Sequence, residues 1–269
     1  MRGMAGVMLI LLSPAKNMNF DEGPPGLVAT KPDFLKEARE IATVAGALPA
    51  TKLGKLMDIS PKLAALNHDR FQAFRGDMKA NGQKPAALAF NGEVYLGLNA
   101  RTMTAQDFAY AQQHLRILSG LYGLLRPLDA IEPYRLEMGS TLKTPRGKNL
   151  YAYWGDSLAL AINKIAGGHE DKTVVNLASN EYFSAVAADA LKFPVVTASF
   201  KEEKDGKLRS LQFFAKRARG LMARWAIDKR AERADDLKDF SVDGYKFQPK
   251  HSGERDWLFT RPQPPLKGR

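Results

Sequence analysis

The chain contains no cysteine, which excludes disulfides, thiolate catalysis, iron–sulfur ligation and thiol redox sensing by its own residues. Histidine is scarce. The four present, His68, His114, His169 and His251, lie far apart in sequence, and no two share a helical turn as a metal-binding helix or zinc finger requires. No Glu-x-x-His pair marks a carboxylate-held iron or manganese. Neither a metal nor another cofactor is therefore expected. Long hydrophobic runs are missing too. The run near the N-terminus, residues 7–12, is too short to span a membrane and has no small-residue cleavage signal behind it. A soluble, cytoplasmic protein without a membrane partner is expected.

What is present is a large apolar fraction and an excess of positive charge. The 269 residues are 45% hydrophobic, enough to bury a substantial core, and 40 Lys and Arg against 29 Asp and Glu leave a net charge of +11. That excess favours polyanionic partners or anionic substrates. The organisation expected is one α+β domain over residues 8–260, with residues 1–7 as an N-terminal extension and 261–269 as a flexible tail.

The first buried strand is read in "VMLILL", followed by the polar turn "SPAKNMNF" at 13–20, where Pro14 cannot donate to a ladder. Residues 32–48 and 51–74 carry helical apolar spacing, the second stretch interrupted at Ser60-Pro61, which reads as a cap and first helical position. Strand signals return in "AALAFNGEVYLGL" at 86–98, in "KTVVNLAS" at 172–179, and in the two runs around Asp205-Gly206, a strong hairpin dipeptide. Helix and strand are mixed without a regular βαβ alternation or an internal repeat.

Residues 114–139, "HLRILSGLYGLLRPLDAIEPYRLEMG", pose the sharpest question. Thr104 and Asp107 have capping-box spacing, and Phe108, Ala111, Leu115 and Leu118 follow at helical intervals, which predicts a helix running to Gly120. Gly120 suits a left-handed helix end, and Gly123 frees the backbone again three residues later. A compact turn of this kind can offer N–H groups to a phosphate, contacting backbone and not base edges. The bland alternative is a simple helix end and turn. Behind it Arg126, Asp129, Glu132, Arg135 and Glu137 are either a solvated surface or, in a pocket, cationic anchors beside carboxylates able to act as acid or base.

Residues 201–233 hold eleven Lys and Arg and five Asp and Glu, and so supply +6 of the net charge. On a helix Phe214, Ala218, Leu221, Met222 and Trp225 share one face, read as core packing, with Arg217 and Arg224 at its borders. Lys216, Arg219, Lys229, Arg230 and Arg233 spread over the remainder, and phosphate contact is expected from this segment.

The blocks "LILLSPAK", "FNGEVYLGL", "QQHLRILSGLYGLLRPLDAIEPYRLEMG", "YAYWGD", "NLASNEYF" and "FFAKRARGLMARW", in this order, resemble the YaaA family of peroxide-stress proteins, from Met8 to about Phe259. The resemblance implies a cytoplasmic bacterial protein with a single mixed fold, a basic cleft, a helix-hairpin-helix-like element and binding to DNA. It also implies protection from hydrogen peroxide by limiting free intracellular iron. Two functions are carried forward. The first is binding of double-stranded DNA through Gly120, Gly123, Arg126, Arg135, Lys216, Arg217, Arg219 and Arg224. The second is an enzyme acting on a nucleotide, nucleobase or other anionic small molecule in the same cleft, with Lys16, Asp129, Glu132 and Glu181 as candidate catalytic residues.

Overall fold

A computed structural model describes residues 8–78 and 82–265; the expected extension at 1–7 and the last four residues of the expected tail lie outside them. At its centre runs strand β1, Leu9–Leu12, every residue of which is buried. An uninterrupted aliphatic run of this kind suits a strand covered on both faces. It lies between two parallel neighbours, β2 (Leu115–Ser119) and β4 (Val174–Leu177). β2 turns back into the antiparallel β3 (Gly123–Leu125), while on the other side β5 (Val195–Lys204) and β8 (Asp256–Pro262) continue the sheet in parallel. Two short antiparallel strands, β6 (Lys207–Arg209) on β5 and β7 (Lys246–Phe247) on β8, complete eight. Helices cover the faces, one hydrophobic cluster links sheet and helices, and the α+β class holds. No helix among the described residues is long and apolar enough to cross a membrane.

Several local expectations are met for the reasons given. Ser60 caps the helix Pro61–Ala73, accepting from the Leu63 amide, with Pro61 at the first turn. Thr104 and Asp107 form the reciprocal capping box of the helix Ala105–His114. Asp205 and Gly206, with φ of 52° and 70°, make the left-handed pair that closes the β5–β6 hairpin. Along β5 the residues Val196, Ala198, Phe200 and Glu202 point inward, as a strand's two-residue period requires. Glu202 is the charged member. Its burial is compensated by the Tyr245 hydroxyl at 2.5 Å and by Arg261.

Three expectations are corrected. The helix does not run to Gly120: it ends at His114, and Leu115 is already extended at φ −117°. The helical spacing of Leu115 and Leu118 loses to the slot beside β1, where all five residues of β2 are buried. The turn is thus flanked by strands, not helices, and the helix-hairpin-helix-like element is absent at 114–125. The region 86–98 is mainly helical, as a single turn at Ala86–Ala89 and the helix Glu93–Leu98, with only Phe90–Asn91 paired as strand. Its Val, Tyr and Leu follow packing against the long helix Gln212–Lys229 in place of β-propensity. Finally, Arg261 and Pro262 belong to β8 and not to a tail. Arg261 is 5% exposed and pairs with Glu202 and Asp243.

Candidate functional site

The adjacent parallel strands β1 and β4 end side by side, and the chain leaves them through Ser13 and Ser179 respectively. The Ser13 hydroxyl accepts the Ser179 amide at 2.8 Å, and the Tyr95 hydroxyl donates to the Ser13 carbonyl at 3.0 Å, which ties the two strand ends to the helix Glu93–Leu98. Outside these carboxyl ends lies a cleft of about 540 Å³. This is where open α/β sheets place ligands, because the strand ends diverge and leave backbone and loop side chains facing one crevice.

Lys16, Lys216 and Arg219 bring positive charge to the cleft from the "SPAK" turn and the long helix. Glu93, Glu137 and Glu181 bring carboxylates. Glu137 is engaged by Lys16 Nζ at 3.1 Å and by Arg135 Nη2 at 3.2 Å, and Glu181 accepts the Gly139 amide at 3.0 Å. Tyr182 stands beside them, its hydroxyl held neutral far above the ordinary range by burial, then by the neighbouring Tyr134 and Glu181. Among the described residues lining the cleft, Arg219 Nε and Glu93 Oε2 are buried without a hydrogen-bond partner. Burial lowers the Arg219 pKa.

Of the candidate catalytic residues, Lys16 and Glu181 meet in this cleft. Asp129 and Glu132 do not. Asp129 is 1% exposed and accepts from the Thr30 hydroxyl, the Arg126 amide and the Arg126 guanidinium; burial raises its pKa and these partners oppose the rise. Glu132 accepts the amides of Arg75 and Gly76, which closes a loop. Both carboxylates are consumed as acceptors for local structure.

The cations expected to meet DNA also divide. Arg126 pairs with Asp129 and Asp33 and donates to the Lys31 carbonyl, and Arg224 donates to Asn99 O at 3.0 Å and Thr102 Oγ1 at 2.7 Å while pairing with Asp228. These hold the fold. Arg135 is directed at Glu137. Lys216 and Arg217 are exposed, and Arg219 is half-buried in the cleft wall. The glycines lie inside: Ser119, Leu121 and Tyr122 are at most 1% exposed, the Tyr122 amide donates to Ser119 Oγ, and Trp154 Nε1 donates to the Gly120 carbonyl. Gly120 is not left-handed; a Cβ there would meet the Leu136 carbonyl at 2.5 Å. Gly123 is left-handed at φ 68° and lies 2.8 Å, by the same measure, from the Trp154 ring. The turn is packed under Trp154 and turns no open amide face to solvent.

Glu93 stands in the "FNGEVYLGL" block, which reads as strand and so gives it no site role in the sequence. The signal available was Asn91-Gly92 ahead of it, a break that lets a helix start as readily as it bends a strand.

The family model described as peroxide stress protein YaaA matches residues 8–251. A UPF0246 protein of Maricaulis maris is 55% identical over 262 residues, covering 97% of this chain and 99% of its own. A second, from Phenylobacterium zucineum, is 55% identical over 258 residues and 96% of both chains, and one from Ralstonia pickettii is 48% identical over 254 residues, covering 94% of this chain and 99% of its own. With its family match and these relatives extending over nearly its whole length, the chain belongs to the peroxide stress protein YaaA family, and with it to the oxidative stress response.

Proposed function

We propose that the protein serves the response to peroxide by binding double-stranded DNA through phosphate contacts, and so limits the damage linked to free intracellular iron. The observation that carries this reading is an exposed, unpaired set of cations on one stretch of chain. Lys204, Lys207 and Arg209 stand on the β5–β6 hairpin and Arg217 on the first turns of the long helix, all exposed and none in an ion pair among the described residues. Cations left unpaired on a surface keep their full attraction for a polyanion. The phosphate contacts fall to these side chains, and the glycine turn supports the fold beneath Trp154.

Such contacts read charge, so affinity depends weakly on base sequence and falls steeply as salt rises through counterion release. Fluorescence anisotropy of a labelled duplex, titrated at several salt concentrations, tests it. Replacing Lys207, Arg209 and Arg217 together with Ala is expected to weaken binding and flatten the salt slope. Affinity indifferent to salt, or unchanged in the triple variant, would overturn the reading.

A further inference from the structure

We infer that the cleft outside β1 and β4 binds a small phosphorylated molecule carrying hydroxyl or amino hydrogens, of the sugar phosphate or nucleoside monophosphate class, and does so independently of duplex DNA. Of the six buried side-chain atoms without a hydrogen-bond partner among the described residues, Arg219 Nε and Glu93 Oε2 belong to residues lining this cleft, and one is a donor and the other an acceptor. Their residues make no ion pair with each other. Buried polar groups are nearly always bonded, so a wall whose Arg219 and Glu93 each keep an unsatisfied polar atom just behind the cleft surface favours a ligand that supplies the opposite of each when these side chains turn to it.

The backbone holds this pair in place. Gly220, next to Arg219, packs directly against the carbonyl of Val94, next to Glu93. That contact needs a glycine, and it sets the arginine and the glutamate on neighbouring elements that line the same cavity. The other cleft carboxylates already have partners, Glu137 in Lys16 and Arg135, and Glu181 in the Gly139 amide. Arg219 and Lys216 are the cations that remain open, three residues apart on one helix.

The chemistry of the two side chains selects the ligand. A guanidinium offers a planar fork of donors that matches phosphate oxygens, and a second cation on the same helix suits a dianion. Ionised glutamate is an acceptor only, so what faces it must be an O–H or N–H. A cavity of about 540 Å³ fits one small molecule and no duplex.

Isothermal titration of the full chain with ribose 5-phosphate, adenosine 5′-monophosphate and adenosine tests the inference. The two phosphorylated probes are expected to bind, with adenosine at least tenfold weaker. Arg219→Ala should cost at least tenfold for both, and the isosteric Glu93→Gln, which keeps the side chain's shape, several-fold. The variant lacking Lys207, Arg209 and Arg217 should lose duplex affinity yet keep ribose 5-phosphate, which separates this site from the DNA surface. Absence of binding by both phosphorylated probes at millimolar concentration, adenosine binding as tightly as its monophosphate, or unchanged binding in a folded Arg219→Ala protein would each overturn it.

Discussion

Gly220 of the long helix lies so close to the Val94 carbonyl that a methyl group on its Cα would overlap that oxygen, and Gly97 meets the Arg217 carbonyl in the same way from the opposite side. Two helices cross here backbone to backbone. Because the obstruction is main chain, no rotamer change relieves it. Gly220→Ala is expected to destabilise the fold by about 1–3 kcal/mol despite alanine's better helix propensity. Urea denaturation measures the change. Unaltered stability would mean that the helices can separate without cost.

Arg217 and Arg224 stand two turns apart on the long helix, one exposed and one bonded to the end of the helix Glu93–Leu98. Arg224→Ala is expected to lower stability by about 1–2 kcal/mol, allowing for its partial exposure, and to leave duplex affinity unchanged. The reverse is expected of Arg217→Ala. Thermal melting and anisotropy on both variants decide it, and equal effects on affinity would show that Arg224 also reaches DNA.

Gly123→Val tests the turn. Its left-handed φ costs a side chain about 1–2 kcal/mol, and crowding against Trp154 and Leu158 adds about 1–3 kcal/mol. The expected outcome is a marked fall in melting temperature with little direct effect on duplex affinity. A folded variant of normal stability that binds no DNA would restore the turn as a phosphate site.

Two titrations divide the acid limb of stability. The His169 ring is lowered from 6.5 to about 4, chiefly by burial, then by His114 and Arg116. The unfolded chain therefore takes up this proton first, and stability is lost as pH falls from 6.5 towards 4. Burial alone would raise the Asp107 carboxyl, but the Thr104 amide and the Arg230 guanidinium hold it near 2. Its contribution is present above 3.8 and lost as pH falls towards 2. His169→Gln should flatten the melting temperature profile in the upper window and Asp107→Asn in the lower. Parallel profiles for wild type and variants would refute the assignment.

Much of the site was readable as separate pieces. Lys16 and Glu181 follow strand-like runs, which marks them as candidates, and the structure brings them to one cleft since β1 and β4 are neighbours. Asp129 and Glu132 also read as loop carboxylates, in a stretch dense in charge, and neither feature reveals that backbone amides and Arg126 already occupy their oxygens. Glu93 is not legible as a site residue because its place in the cleft depends on Gly220, 127 positions later in the chain.

What the sequence determined by itself is whatever depends on near neighbours. Ser60 before Pro61, Thr104 before Asp107 and Asp205 before Gly206 act through bonds and torsions within four residues, and each forms as those residues dictate. The excess of Lys and Arg over residues 201–233 is likewise a property of composition. Tertiary structure decided the rest. Residues 115–119 had helical spacing and became a strand because β1 presented an open edge whose hydrogen bonds and apolar faces outweighed a weak local preference. The same packing chose which cations stay free. Arg126 and Arg224 found carboxylates and carbonyls within reach, whereas Arg217 is left to solvent and Lys216 and Arg219 line the cleft, a distinction set by where helices cross and not by the residues' identity.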